Sequence, residues 1–239
     1  MIELPFKMII ETDMEKYRAE TFWTKEPETI AWIQSFKDGD TFWDIGANIG
    51  IYSFYCASLF PKSNISAFEP DPVNFVRLHQ NRLLNEFDNV SIFRFGIGHY
   101  EHQSIFYTEK TEAGASGGQM GQPIDEHGKK FNPATQTQTY LVSVDFLIEV
   151  MDHKTPTHIK IDIDGQEIAV IAGMLNTIRR EELKSVLIEI NPNSNKEDIV
   201  KLFKMRKFST INQFNLMENH SRNRRATEGI DVENVVFTR

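Results

Sequence analysis

Two groups of residues have the types and spacing to do chemistry. Asp162, Asp164 and Glu167 flank Gly165 where an apolar run, Ile159 to Ile163, gives out. Carboxylates this close repel, and a partly buried one then holds its proton more tightly, which suits a general base acting on a hydroxyl. The structural alternative makes Asp164 a helix cap and Glu167 its third-position partner. The second group is Asp44-x-Gly46-x-Asn48-x-Gly50, followed downstream by Glu69 at the end of another apolar run. Glycine at 46 and 50 allows a tight turn and close approach of a ligand. Glu69 has two oxygens to accept from a ribose diol. The dinucleotide fingerprint G-x-G-x-x-G, which seats a pyrophosphate on a helix N-terminus, is not what stands here. The spacing matches the acid-x-Gly-x-Gly-x-Gly pattern of S-adenosylmethionine binders, with Asn48 in the middle glycine's place. The leading acid, Asp44, is then free to serve the methionine ammonium group.

Both groups need strands that end at one edge of a sheet, and the chain supplies them. Thr41 to Ile45, Ile65 to Phe68, Val90 to Phe95, Ile159 to Ile163 and Ser185 to Ile190 read as strands. Helical patterns separate them: Ile51 to Leu59, Val73 to Leu84 and Ile168 to Ile178, with Glu28 to Phe36 ahead of the first strand and Ile199 to Met205 near the end. Val232 to Phe237 closes the sheet, and Met8 to Ile10 is a possible strand in an otherwise mixed N-terminal stretch. Alternation of this kind predicts a doubly wound α/β fold with a mostly parallel seven-stranded sheet. In such sheets ligands sit beyond the carboxyl ends of the strands. The stretch 108–139 breaks the pattern with glycines that include 114, 117, 118 and 121, between strand-like pieces Ser104 to Tyr107 and Thr139 to Val144. A connection of this length is a lid or a flexible insertion.

Taken together, Asp44-Ile45-Gly46-Ala47-Asn48-Ile49-Gly50-Ile51-Tyr52-Ser53, Ala67-Phe68-Glu69-Pro70-Asp71, Lys160-Ile161-Asp162-Ile163-Asp164-Gly165-Gln166-Glu167 and Leu187-Ile188-Glu189 resemble the FkbM family of S-adenosylmethionine-dependent methyltransferases. The resemblance covers roughly 26–239. The family's third motif more often reads Asp-x-Glu-Gly-x-Glu, and Asp164 replaces its first Glu. It implies one domain over 1–239, with 1–38 as lead-in, and the Rossmann-like class I methyltransferase fold. It implies a donor site of Asp44, Gly46, Ala47, Asn48, Gly50, Tyr52, Ser53, Glu69, Pro70 and Asp162, with Gly96 and Ile97 beside the adenine. It also implies methylation of a hydroxyl on a small-molecule or glycan acceptor. Asp164 is the expected base, and Asp162 is expected to contact donor or metal. Some O-methyltransferases chelate a diol through Mg²⁺; the corresponding ligands here are Asp162, Glu189 and Asn191, oxygen donors suited to a hard cation.

Composition narrows the classes. A net charge of −8 disfavours a surface that tracks phosphates, so nucleic acid is not the expected partner. No apolar run reaches the ~18 residues of a membrane span, and no signal-peptide core opens the chain, so the expected location is the cytoplasm. The single cysteine, Cys56, sits in a helical apolar pattern and reads as a packed thiol. His99 and His102 lie near the third strand's exit within possible reach of an acceptor, and Arg222-Asn223-Arg224-Arg225 reads as a solvated basic loop. Two competing classes are an NAD(P)-dependent oxidoreductase, opposed by Asn48 and by the lack of a Tyr-x-x-x-Lys pair, and a non-catalytic S-adenosylmethionine-binding domain. A nucleobase methyltransferase would favour an Asn/Asp-Pro-Pro-aromatic turn where Asp164-Gly165-Gln166-Glu167 stands.

Overall fold

The computed structural model describes residues 3–125, 127–190, 196–210 and 233–239. A seven-stranded sheet runs through the centre. Its first strand, β1 (Thr41–Ile45), is buried along its whole length. It pairs in parallel with β2 (Asn64–Phe68) on one side and with β8 (His158–Ile161) on the other. Beyond β2 lies β3 (Val90–Phe93), and beyond β8 lies β9 (Ser185–Ile190), again parallel. The sheet continues through β11 (Glu233–Thr238), antiparallel to β9, to the short β10 (Ser209–Thr210). The order is therefore β10-β11-β9-β8-β1-β2-β3, with the chain reversing direction away from β1. That reversal opens the crevice where doubly wound sheets bind ligands.

Strand alternation divides the core in two. Phe42, Ile65, Ala67, Leu187 and Val236 face one layer, under the helices α2 (Pro27–Gln34), α3 (Ile51–Leu59) and α4 (Pro72–Asn85). Trp43, Ile45, Ile159, Ile161, Val186 and Ile188 face the other, under α5 (Val144–Glu149), α6 (Glu167–Ala172) and α7 (Lys196–Met205). Cys56 is a free, buried thiol in the first layer.

Several expectations need correction. Met8 to Ile10 is not a strand: this stretch joins no sheet, and the Asn81 and Asn85 side chains take the Ile9 and Lys7 N–H groups at 2.9 and 2.6 Å. After it comes a helix the periodicity hid, α1 (Asp13–Lys25), started by a capping box between Thr12 and Glu15. The helix expected over 168–178 stops at Ala172. A Cβ on Gly173 would lie 2.1 Å from the Gly98 carbonyl oxygen, and a short 3₁₀ turn, Thr177–Arg179, follows. The third strand ends at Phe93, and Gly96–Ile97 joins a second sheet as β4.

That second sheet, ordered β4-β7-β5-β6, is built from the insertion and its flanks. β5 (His102–Thr108) and β7 (Thr135–Val142) form a long antiparallel pair, and β6 (Gln119–Met120) adds to β5. Among the described residues no helix is long and apolar enough to cross a membrane.

Candidate active site

The turn after β1 holds three left-handed residues in a row of five: Gly46, Asn48 and Gly50, at φ +81°, +53° and +92°. Asparagine is among the few residues besides glycine that visit this region, which explains Asn48 in a glycine's place. The Gly46 and Ala47 N–H groups both donate to the Phe68 carbonyl at 3.0 Å, so the end of β2 holds the turn. The need for glycine at 46 comes from the next strand rather than from a ligand: a Cβ there would lie 1.8 Å from the Asp162 carbonyl oxygen. Gly50 is likewise required by packing, because its Cβ would meet the Phe54 and Leu78 side chains at 2.4 and 2.5 Å.

Glu69 stands at the end of β2 and is 5% exposed. Its Oε2 accepts from the Asn48 N–H at 2.7 Å and its Oε1 from the Asp71 N–H at 2.8 Å. Those bonds favour the carboxylate, but burial outweighs them and pushes the group up to about 8.

A cleft of about 390 Å³ opens above these strand ends. Of the residues expected at a donor site, Gly46, Ala47, Asn48 and Tyr52 line it from the first turn, and Glu69 and Pro70 from the second. Gly96, Ile97 and Asp162 line it from the remaining strand ends. Asp44, Gly50 and Ser53 do not. Asp44 is fully buried behind the turn, where Ser53 Oγ donates to its Oδ2 at 2.6 Å. His99 and His102 also lie away from the cleft. Asn191 and the basic run 222–225 fall outside the described residues.

The end of β8 concentrates charge. Lys160, 1% exposed, donates from Nζ to Asp162 Oδ2 at 2.6 Å and lies 5.0 Å from the Tyr52 ring centroid. Burial would lower the Lys160 ammonium, yet Asp162, Asp44 and Glu26 together raise it. Burial would raise Asp162, yet Lys160 and a hydrogen bond from Glu189 hold it well below the usual carboxylate range. Glu189 is pushed well above the usual carboxylate range by burial and by the Asp162 charge. Oxygens of Asp162, Asp164 and Glu189 all lie within 4.8 Å of one another. Asp162 and Glu189 belong to the expected ligand set, and Asp164 joins them here.

Asp164 is not a helix cap. The cap of α6 is Gln166, and the buried Glu167 accepts from the Gly165 N–H at 2.8 Å. Asp164 instead sits at φ +51°, fixed by the insertion: its Oδ2 accepts from the Gly117 N–H at 2.9 Å, and its carbonyl from Gln119 Nε2 at 2.8 Å. The insertion reaches across the cleft at 113–118. The Ala115 carbonyl accepts from both Asn48 Nδ2 and Asn74 Nδ2, at 2.7 and 3.0 Å. Thr12 Oγ1 and Arg18 Nε, at the start of the chain, hold the Ala113 and Gly114 carbonyls at 2.8 and 2.6 Å.

Sequence reasoning missed one wall entirely. Met14, Tyr17, Arg18 and Lys25 of α1 line the cleft, and no motif marks them. Lys160 was detectable, since a cation inside a parallel strand interrupts the apolar run that burial on both faces demands.

A family model described as the methyltransferase FkbM domain matches residues 44–222. Hexuronic acid methyltransferase AglP of Haloferax volcanii is 27% identical over 179 residues, covering 74% of this chain and 67% of that protein. Methyltransferase 1 of Beauveria bassiana is 28% identical over 159 residues, covering 59% of this chain and 61% of its own length. Among solved structures, magnesium protoporphyrin IX methyltransferase from Synechocystis superimposes with TM-score 0.48 at 10% identity, over 87% of this chain and 78% of that one.

Proposed function

We propose an acceptor and a proton path for this protein, which belongs to the FkbM family of methyltransferases: a saccharide hydroxyl is methylated from S-adenosylmethionine, and its proton passes to Asp164. The cleft's chemistry suits that donor. Glu69 offers two oxygens to a ribose diol, Phe95, Gly96 and Ile97 give an apolar flank for adenine, and Arg18 and Lys25 supply cations for a carboxylate. When bound, S-adenosylmethionine supplies a methyl group already activated on a sulfonium.

The chain's own residues then have two tasks. The first is to hold the acceptor oxygen in line with the methyl carbon, which supplies much of the rate. The second is to take the proton as the O–C bond forms and the C–S bond breaks, worth ~10²–10⁴-fold. One observation carries the assignment to Asp164. Besides lining the donor cleft, it lines a second groove outside it, and among the described residues that the two share it is the carboxylate. The carbohydrate class draws on the name of the archaeal relative.

Asp164→Asn tests this by removing basicity while keeping the oxygen that Gly117 holds. Turnover should fall about a hundredfold or more, with donor affinity within about twofold. Activity near the parent's would move the proton elsewhere. A second reading follows from the three clustered carboxylates, which could bind Mg²⁺ against the acceptor. Lys160 competes with it, since an ammonium already neutralises Asp162. Loss of turnover on EDTA treatment, restored by Mg²⁺, would favour the metal.

A further inference from the structure

The second cavity, about 700 Å³, lies between the tip of the insertion and the turn after β8. It shares Met120, His127, Asp164 and Gln166 with the donor cleft, so the two meet at the carboxylate assigned as base. We infer that this outer groove is the acceptor subsite and that it selects a neutral, hydroxyl-rich ring over its uronate counterpart. The inference rests on the methyltransferase reading above.

Its lining has a marked bias. Three amides (Gln119, Gln122 and Gln166), two carboxylates (Asp125 and Asp164) and the His127 imidazole supply side-chain polar groups, and the described lining contains no lysine or arginine. Amides both donate and accept, as ring hydroxyls do, so they match a polyol in either sense. A uronate needs cations instead, preferably a planar guanidinium that meets its carboxylate on two bonds. Here it would face Asp125 and Asp164. Lys129 and Lys130, next along the chain, are not part of the lining.

Two of the amides are also held. Gln119 is 4% exposed and its Nε2 bonds the Asp164 carbonyl, while Gln166 Nε2 bonds the Met120 carbonyl at 2.9 Å. Each anchored nitrogen fixes its amide plane. Asp125 is fixed too, because its Oδ1 accepts from the His127 and Lys129 N–H groups at 3.0 and 2.7 Å. A ring seated here would present a hydroxyl across Asp164 to the methyl carbon, and the groove would read its remaining hydroxyls.

The test uses the whole protein saturated with S-adenosylhomocysteine. Methyl gluco-, galacto- and mannopyranosides, and the matching uronides, are titrated in by saturation-transfer NMR. At least one neutral glycoside should bind about tenfold tighter than its uronide, the scale of one hydrogen bond kept against one lost. Gln122→Lys and Asp125→Asn should each shrink that ratio toward one, leaving S-adenosylhomocysteine affinity within about twofold. Tighter binding of the uronide, a ratio unmoved by both variants, or no glycoside signal beside normal S-adenosylhomocysteine binding would each overturn the inference. Failure to bind S-adenosylhomocysteine would instead overturn the donor reading, and the subsite with it.

Discussion

At the amino ends of β1, β8 and β9, Asp40, His158 and Ser185 form a closed chain of hydrogen bonds. His158 bonds Ser185 Oγ through Nδ1 at 2.7 Å and Asp40 Oδ2 through Nε2 at 3.0 Å. Trp32 Nε1 donates to Ser185 Oγ at 2.8 Å, and Lys184 Nζ donates to Asp40 Oδ1 at 2.6 Å. Phe36 stacks flat on the imidazole, 3.8 Å between centroids. At the carboxyl ends of β1, β2 and β8 the groups do not close on themselves. Asp44 Oδ1 is buried with no hydrogen-bond partner, Glu69 is pushed up to about 8, and Asp164 stands in the left-handed region. The lower cluster even contains serine, histidine and aspartate in sequence, the components of a nucleophilic triad. Its serine is 4% exposed and already accepts from a tryptophan, so it is architecture. Residue types alone do not distinguish a reactive cluster from a structural one. What separates them is whether every polar atom is already used within the protein.

The sharpest way to test that contrast is to remove the buried Lys160 ammonium at the upper edge. Lys160→Met leaves Asp162 and Asp44 without their ammonium, and breaking such a buried pair costs roughly 3–5 kcal/mol. Urea unfolding should show a loss of that size. A loss below about 1 kcal/mol, far short of that range, would mean that the carboxylates neutralise themselves by binding protons.

The lower edge should fail in acid. Burial holds neutral His158 down to about 4, while an unfolded chain takes a proton at the ordinary histidine value. The unfolded state therefore binds more protons between about pH 6.5 and 4, and stability falls as pH falls through that window, by on the order of 3 kcal/mol. Asp40 acts below it. Burial opposes its ionisation, but bonds from Lys184, Lys37 and His158 bring it down to about 2, so its stabilisation is present above the ordinary aspartate value and lost as pH falls toward 2. His158→Gln should flatten the upper part of the stability profile. An unchanged slope would show that the imidazole does not report its burial.

Glu69 acts with the opposite sign, and its consequence for ligand affinity is the smallest of the effects. A raised carboxyl contributes stability that is full below its unfolded value and lost as pH rises through about 8. Ribose hydroxyls donate to its ionised form, so ligand affinity should rise over the same interval. Calorimetry with 5′-methylthioadenosine between pH 6.5 and 9 should show several-fold tightening, absent in Glu69→Gln. A flat profile in the parent would place the ribose away from Glu69.

The parts of this design that the sequence reveals are the local ones. Asp44 to Gly50 is a turn whose φ demands are met by residues in immediate succession, and Glu69 ends a strand whose position follows from the pattern. Asp162 and Asp164 are visible for the same reason. Their surroundings are not. The wall formed by Met14, Tyr17 and Arg18 depends on α1 folding back over the strand ends, held by Thr12 and Arg18 bonds to carbonyls about a hundred residues away in sequence. Nor does a motif show that Asp44 and Ser53 turn toward each other beneath the cleft while Ala47 and Asn48 face it; strand and turn geometry decide that, and the residue types fit either arrangement. The capping alternative for Asp164 was chemically sound and failed because the insertion took the residue first.

The place of β11 bears on how the protein is made. It follows every other described strand in sequence yet lies between β9 and β10 in the sheet. On a ribosome, β9 must emerge with its outer edge bare, and β10 must emerge with no partner at all. An unpaired edge is a template for another chain. Val186, Leu187 and Ile188 of β9 are fully buried in the finished fold, so the edge that waits longest is also among the most apolar. Synthesis that pauses ahead of β11 would leave that edge open to neighbouring nascent chains, which makes the final strand the fold's lock against aggregation.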